Sequence, residues 1–471
     1  MSDTSPVVVW FRRDLRTADN PALFHASETG RPVVALYIRE SDHPYPQGGA
    51  ADWWLHYSLE SLQDSLGIPL IIRRGKAVDI VPDVVRATGA SALYINRRYT
   101  PRGHEIDKAV TDALDIEVHD YKSFLLVEPW DVKTGDGTFY KVFTPFWRKA
   151  REEALGDVGE PLPAAKPKRF RGNVESLTLA DLDLLPTNPD WGSKMRQSWN
   201  IGEAGAMDRL QEFVDSDIDR YADYRDRPDL AITSRLSPHL AHGEISPRQC
   251  WAEVEGSDKK AKKFLSELGW REFSYNVLYH FPDLKTENYN EDFDNLEWET
   301  GKADLHAWQK GQTGYPFVDA GMRQLWETGW MHNRLRLVTA SFLVKHLLHD
   351  WREGEEWFWD CLVGGDVANN AQNWQWVAGT GFDAAPFFRI FNPITQGEKF
   401  DPDGDFIRKW VPELKDLPNK YLHHPWTAPE EVLADANVIL GKTYPHPIVE
   451  HKPARERALK AYKVSREVRE E

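Results

Sequence analysis

The chain has 471 residues, with 58 Lys and Arg against 74 Asp and Glu and a formal charge of −16. That length holds two or three domains and a sizeable core, and the acidic balance argues against a protein coated in nucleic acid while leaving room for a local basic cleft. Two cysteines, Cys250 and Cys361, cannot build a disulfide framework, which points to a reducing, cytoplasmic setting.

The opening MSDTSPVVVWFRRDLR sets arginines straight after a short apolar run, unlike a signal peptide or membrane span. From Pro6 to about Leu126 the pattern then alternates. VVVWF (7–11), VVALYI (33–38), PLIIR (69–73), ALYIN (92–96) and IEVHDY (116–121) read as buried strands. Between them, 51–67, 78–89 and 104–114 read as helices, so this part is a parallel sheet with helices on its faces. No GxGxxG follows the first strand, so a dinucleotide fingerprint is missing. Arg12, Arg13 and Arg16 fall where that strand ends, the edge at which such sheets bind ligands; arginines that merely solvate a loop explain them equally well.

Residues from about 127 to 200 read as a proline-punctuated connector in which KPKRFRG (166–172) is basic and irregular. After Asn200 the periodicity is helical almost throughout, for example over 206–225, 261–281, 317–329 and 332–351. Twelve of the 20 tryptophans lie between Trp251 and Trp410, and that clustering calls for more than ordinary core packing. The expected architecture is a Rossmann-like parallel α/β domain over 1–128, a linker over 129–199 and an all-helical domain over 200–471.

Four stretches carry chemistry. Thr233, Ser234 and Ser237 with Arg235 precede a helical run and suit a phosphate, although a Ser/Thr cap with an incidental arginine would look the same. In ELGWREF, Glu267, Trp270 and Arg271 are spaced to share one helix face, offering an acceptor, a stacking plate and a cation to a nucleobase; an exposed ion pair beside a core Trp is the alternative. In MHNRLRL, Asn333 and Arg336 share a face with Arg334 one step around, which suggests a polar cleft; a solvated helix face explains the arginines equally well, but Asn333 less so. The segment from Gly364 to Pro393 sets Asp366, Asn369, Asn370 and Asn373 beside Trp374 and Trp376. Amides and indoles are costly to bury without partners, so this segment reads as the wall of a cofactor site.

WFRRDLRTADNPAL, TSRLSPHLAHGEIS, WREF, GYPFVDAGMRQLWETGWMHNRLRL and NWQWVAGTGFDAAPFFRIFNPITQGEKFDPDG together resemble the photolyase/cryptochrome family of flavoproteins, from the first strand to PIVEHKPARERAL. The resemblance implies FAD in the helical domain, whose reduced form donates an electron, on absorbing light, to a pyrimidine dimer flipped out of DNA. It implies FAD contacts from Tyr221, Thr233, Ser234, Arg235, Leu236, Ser237, Phe264, Asn333, Arg336, Asp366 and Asn370, with Asn370 matching the residue that faces flavin N5. It implies a lesion site in which Trp270 and Trp376 sandwich the dimer, Glu267 bonds the thymine edge and Asn333 lies beside it. Arg271, Arg334 and Arg389 are then candidates for the DNA backbone, and Trp374, Trp351 and Trp298 match a relay of three indoles.

Within the family, His332-Asn333 stands where (6-4) photolyases carry His-His, and the chain stops soon after a charged helix where many cryptochromes extend. Both features favour repair of cyclobutane pyrimidine dimers over cryptochrome-like signalling. UV-damaged DNA is then the expected partner of a monomeric, cytoplasmic lyase. Two departures stand out. Gly364 occupies a position where the family usually has an acid that pairs with the arginine matching Arg336, which implies an altered flavin redox balance or altered proton-transfer kinetics. Pro101-Arg102 falls where some bacterial photolyases bind folate, so a second antenna chromophore, methenyltetrahydrofolate or 8-hydroxy-deazaflavin, is left open. A basic rim is expected from Arg225, Arg271, Arg334, Arg389 and the KKAKK run (259–263).

Overall fold

A computed structural model describes residues 4–41, 46–155, 158–255 and 261–470. The N-terminal part is a parallel sheet of β1 (Val7–Phe11), β2 (Pro32–Glu40), β3 (Leu70–Gly75), β4 (Ala92–Asn96) and β5 (Glu117–Tyr121), in the order β3-β2-β1-β4-β5. Val7 pairs with Val33 on one side and Ala92 on the other. β1 is central and buried at every position. Its alternate side chains enter different cores: Val7, Val9 and Phe11 pack on one face, Val8 and Trp10 on the other. That double burial is why the run is continuously apolar rather than alternating.

The helices α1 (Pro21–Glu28), α2 (Gly49–Leu66), α3 (Ala77–Thr88) and α4 (Pro101–Asp112) accompany this sheet. The sequence reading had no helix at Pro21, although the start signal is plain: Asn20 accepts from the backbone N–H of Leu23 and Pro21 takes the first turn. In the expected connector, Lys168–Arg169 of the basic run joins the sheet beside β2, with Pro32 opposite Lys168.

Both readings of the strand-end arginines are corrected for Arg12 and Arg16. These are buried, not solvating a loop. Arg12 donates to the carbonyl of Trp10 and pairs with Asp107 at 3.5 Å. Arg16 donates to the carbonyls of Gly243 and Asp19. The crevice beyond β1 and β4, where the strand order reverses and ligands usually enter, is thus filled by this network, with Asn96 donating to Asp14 and Asn20.

By its contacts the chain forms two compact units, one of 1–219, 234–282 and 363–368 and one of 220–233, 283–362 and 369–471. The second is helical and holds a large apolar core containing Trp308, Trp351 and Trp374. Two expected helices are interrupted. The run 206–225 divides into Glu203–Ser216 and Ile218–Tyr224. The run 332–351 holds helix Asn333–Ser341, a π turn Phe342–His346 and Leu348 at φ 61. A new helix, Trp351–Cys361, then starts where the Asp350 side chain accepts from Arg352 N–H. Asp350 with Glu353 three residues on is a capping-box pattern, so this break was readable.

Candidate functional site

In the first unit, the 234–237 turn enters the short helix Ser237–His242. Its N-cap is Leu236, with no side-chain cap, so the hydroxyls do not cap it; Ser237 is exposed and Leu236 buried. Arg235 takes φ 53 and lies over the ring of Trp199 at 4.2 Å. Burial, and then Arg209, pull its guanidinium down to about 10. Ser234 gives its carbonyl to Arg209.

The helix Lys262–His280 carries the expected lesion residues. Gly269 lets it lie on Trp147, which a Cβ would meet at 2.5 Å. Phe264 is core, tilted on Phe213 at 4.9 Å. Trp270 is half-buried and stacks flat on Phe143 with centroids 3.9 Å apart. Glu267, one turn earlier, is half-buried and paired with Lys263 at 2.8 Å. Arg271 corrects the expectation of a DNA-backbone contact. It is buried, donates to the carbonyl of Phe124 at 2.8 Å and lies over that ring. Its neighbour Glu272 accepts from the backbone N–H groups of Leu126 and Val127. Spacing on a helix told which residues share a side but not which way that side faces.

The loop before Asp366 is pinned within the same unit. His242 Nε2 bonds the carbonyl of Val363 at 2.8 Å. Gly364 passes so close to Pro238 that a Cβ would meet its Cα at 2.7 Å. Asp366 itself accepts from the Tyr275 hydroxyl and lies 3.9 Å from the Arg13 guanidinium.

In the second unit, Tyr221 is buried beneath the Arg225 guanidinium, 5.3 Å from its ring, and Thr233 is half-buried. Helix Asn333–Ser341 presents three polar residues in three states. Asn333, in the first turn, is exposed. Arg334 is half-buried, is paired with Asp226 at 2.6 Å and lies over Phe400. Arg336 donates Nε to the carbonyl of Met331, and no carboxylate among the described residues lies within ion-pair distance. Burial alone pulls its guanidinium down to about 10.

Asn370 is buried and donates through Nδ2 to both the backbone carbonyl and the carboxylate of Glu355, each at 2.9 Å. Two acceptors on one side fix the amide's orientation. Burial raises the Glu355 carboxyl, and Lys285 at 3.2 Å opposes that. Glu355 and Lys285 escaped the sequence reading, since nothing within 15 residues of Asn370 marks them. Asn373 is exposed and bonds the carbonyl of Asn369.

Trp374, Trp351 and Trp298 share one apolar cluster, the first two buried and Trp298 partly so. Trp374 packs on Trp308 and Phe358, and Gly354 makes room for it. The Trp351 indole N–H donates to Asn288. Trp376 is half-buried, whereas Arg389 is exposed beside Phe388, which is 66% exposed. Of the KKAKK run, Lys259 and Lys260 lie outside the described residues. No helix among the described residues is long and apolar enough to cross a membrane.

The family model for DNA photolyase matches residues 7–168, and that for the FAD binding domain of DNA photolyase matches residues 264–464. The chain is 50% identical to a deoxyribodipyrimidine photo-lyase of Agrobacterium fabrum over 98% of each chain. It is 38% identical to Cryptochrome-1 of Arabidopsis thaliana over 94% of this chain and 68% of that protein. A crystal structure of a bacterial class III photolyase from Agrobacterium tumefaciens superposes with a TM-score of 0.96 at 49% identity, covering 99% of this chain and 98% of the other.

Proposed function

Because the chain belongs to the photolyase/cryptochrome family, we propose that it is a light-dependent DNA lyase that repairs cyclobutane pyrimidine dimers, using FAD as its cofactor. The observation that carries this reading is the pair of polar groups in the second unit that a flavin would complete. Arg336 is a desolvated cation with no carboxylate partner among the described residues, and Asn370 is held with its amide N–H groups on Glu355. A cation largely withdrawn from water is costly without a counter-charge, and the flavin and its phosphates offer one. The Asn370 oxygen, turned from Glu355, is oriented to accept.

When bound, reduced FAD supplies light absorption and the electron. The chain's own residues bind, orient and exclude water. Arg336, Asp366 and Asn370 hold the flavin's polar edge, and Tyr221, Thr233, Ser234, Arg235, Leu236 and Ser237 the phosphate side, with Phe264 and Asn333 near them. Trp270 offers its uncovered face to the flipped-out dimer, since Phe143 occupies the other, and Trp376 supplies a second plate. Glu267 accepts from the thymine edge. Trp374, Trp351 and Trp298 carry electrons inward from the surface.

Asn333 favours this substrate over the (6-4) product, because it stands where (6-4) photolyases carry the second His of a His-His pair, their catalytic acid. Burial pulls the preceding His332 down to about 4, and its Nδ1 accepts from Arg334 N–H as the helix cap. The protein acts as a monomer in the cytoplasm. Purified protein reconstituted with FAD and chemically reduced is expected to remove dimers from an oligonucleotide under blue light and not in the dark. Tight light-dependent binding of another protein, with no loss of dimers, would favour the signalling reading instead.

A further inference from the structure

The second arginine of WFRRDLR and a tyrosine in the middle of helix Lys262–His280 have no part in the function so far. Tyr275 and Asp366 are both buried, and the phenol O–H donates to Asp366 Oδ2. A buried phenol needs an acceptor, so this bond fixes the ring as well as the acid. The ring is held edge-on to Phe124, at 5.2 Å and 80°. From the other side Arg13 places its guanidinium 3.9 Å from the same Oδ2 and 3.4 Å from the carbonyl of Gly365. The Arg13 backbone is closely packed, since its carbonyl lies where a Cβ on Gly243 would come within 2.0 Å. The loop is further tied by His242 to Val363. One carboxylate oxygen is thus gripped by a neutral donor and a cation, both from elements that precede it by more than 90 residues.

We infer that Tyr275 and Arg13 are positioning residues for the Asp366 carboxylate and so set how firmly, and in what orientation, that acid meets FAD. The inference rests on the flavin reading above. An aspartate before a helix has two free torsions, and a hydrogen bond to a ligand N–H is lost when the acceptor swings by a fraction of an ångström to an ångström. Tyr275 remains a donor across the working range, since burial, and then Asp366, raise its hydroxyl well above the ordinary phenol value.

The test is FAD titration of apo-protein, with the bound flavin's absorption band structure and the thermal midpoint read alongside. Tyr275→Phe and Arg13→Gln are each made in the wild-type and Asp366→Ala backgrounds, and Arg13→Lys is the conservative control. Tyr275→Phe is expected to weaken FAD binding about tenfold, the order for one hydrogen bond to a charged group, and to shift the flavin bands. Arg13→Gln should do the same more weakly, and Arg13→Lys should restore most of the affinity. Both effects should vanish in the Asp366→Ala background. Wild-type affinity and bands in Tyr275→Phe and Arg13→Gln would overturn the inference, as would equal losses in both backgrounds. If Tyr275→Phe fails to fold, the half-exposed Arg13 series decides. If the wild-type protein takes up no FAD at all, the flavin reading falls and this inference with it.

Discussion

The side-chain amide of Asn370 and the missing side chain of Gly364 are the two residues where small changes should report most. Asn370 faces two acceptors of Glu355, so Asn370→Asp would oppose a carboxylate to a carboxylate in a buried place. We expect a loss of about 1–3 kcal/mol, seen as a lower midpoint in denaturant unfolding; an undiminished midpoint would mean that the amide is not held by Glu355. Gly364→Asp, which would supply the acid usual in the family, meets a steric obstacle at Pro238. Overpacking of this kind costs about 1–3 kcal/mol, so the variant should unfold earlier even where its flavin chemistry changes. The Gly is therefore explained by packing, a reason that its sequence neighbours do not reveal. Tyr275 and Glu355 were equally hidden, since their partners lie 91 and 15 residues away and a tyrosine or glutamate within a helix has no local signature.

At the scale of elements, helix Lys262–His280 joins lesion candidates on one side to a buried anchor on the other. Glu272 holds the backbone of Leu126 and Val127, and burial, opposed by Arg271, pushes its carboxyl up to about 7. A carboxyl raised in the folded state binds protons that the unfolded chain releases, so its stabilising contribution is present below about pH 4 and lost as pH rises through about 7. Glu272→Gln, which still accepts from both N–H groups, should gain thermal midpoint over the wild type at pH 8 and lose that advantage at pH 5. A pH-independent difference would contradict the assignment.

The sequence pattern located all five strands of the main sheet; β1, β2 and β4 are nearly continuous buried apolar runs, whereas β3 is buried at two positions and β5 at none. It missed Pro21–Glu28, a helix too short for a periodic signal, and extended Asn333–Ser341 on to Trp351, because apolar periodicity continues through the π turn that follows it. The three relay tryptophans were legible only as motif positions; the shared core that holds them brings together segments far apart in the chain.

For the whole molecule, the net charge of −16 means that DNA must be met by local positive charge, and the arginines proposed for it are not equivalent. Arg389 is exposed, Arg334 is paired with Asp226 and Arg271 is buried. Arg389→Ala should lower the slope of log affinity against log salt by about one, whereas Arg271→Ala should cost stability and leave that slope unchanged. Equal salt slopes for wild type and Arg389→Ala would remove Arg389 from the interface. The central claim is that light drives repair through the lesion plates of this chain. It is tested most directly by following the loss of cyclobutane dimers from an oligonucleotide under blue light, with reduced wild-type protein and with Trp376→Ala and Glu267→Ala. We predict repair by the wild type, none in the dark, and a fall of at least about tenfold in each variant that still binds FAD. Undiminished repair in both variants, or none by an FAD-loaded wild type, would contradict it.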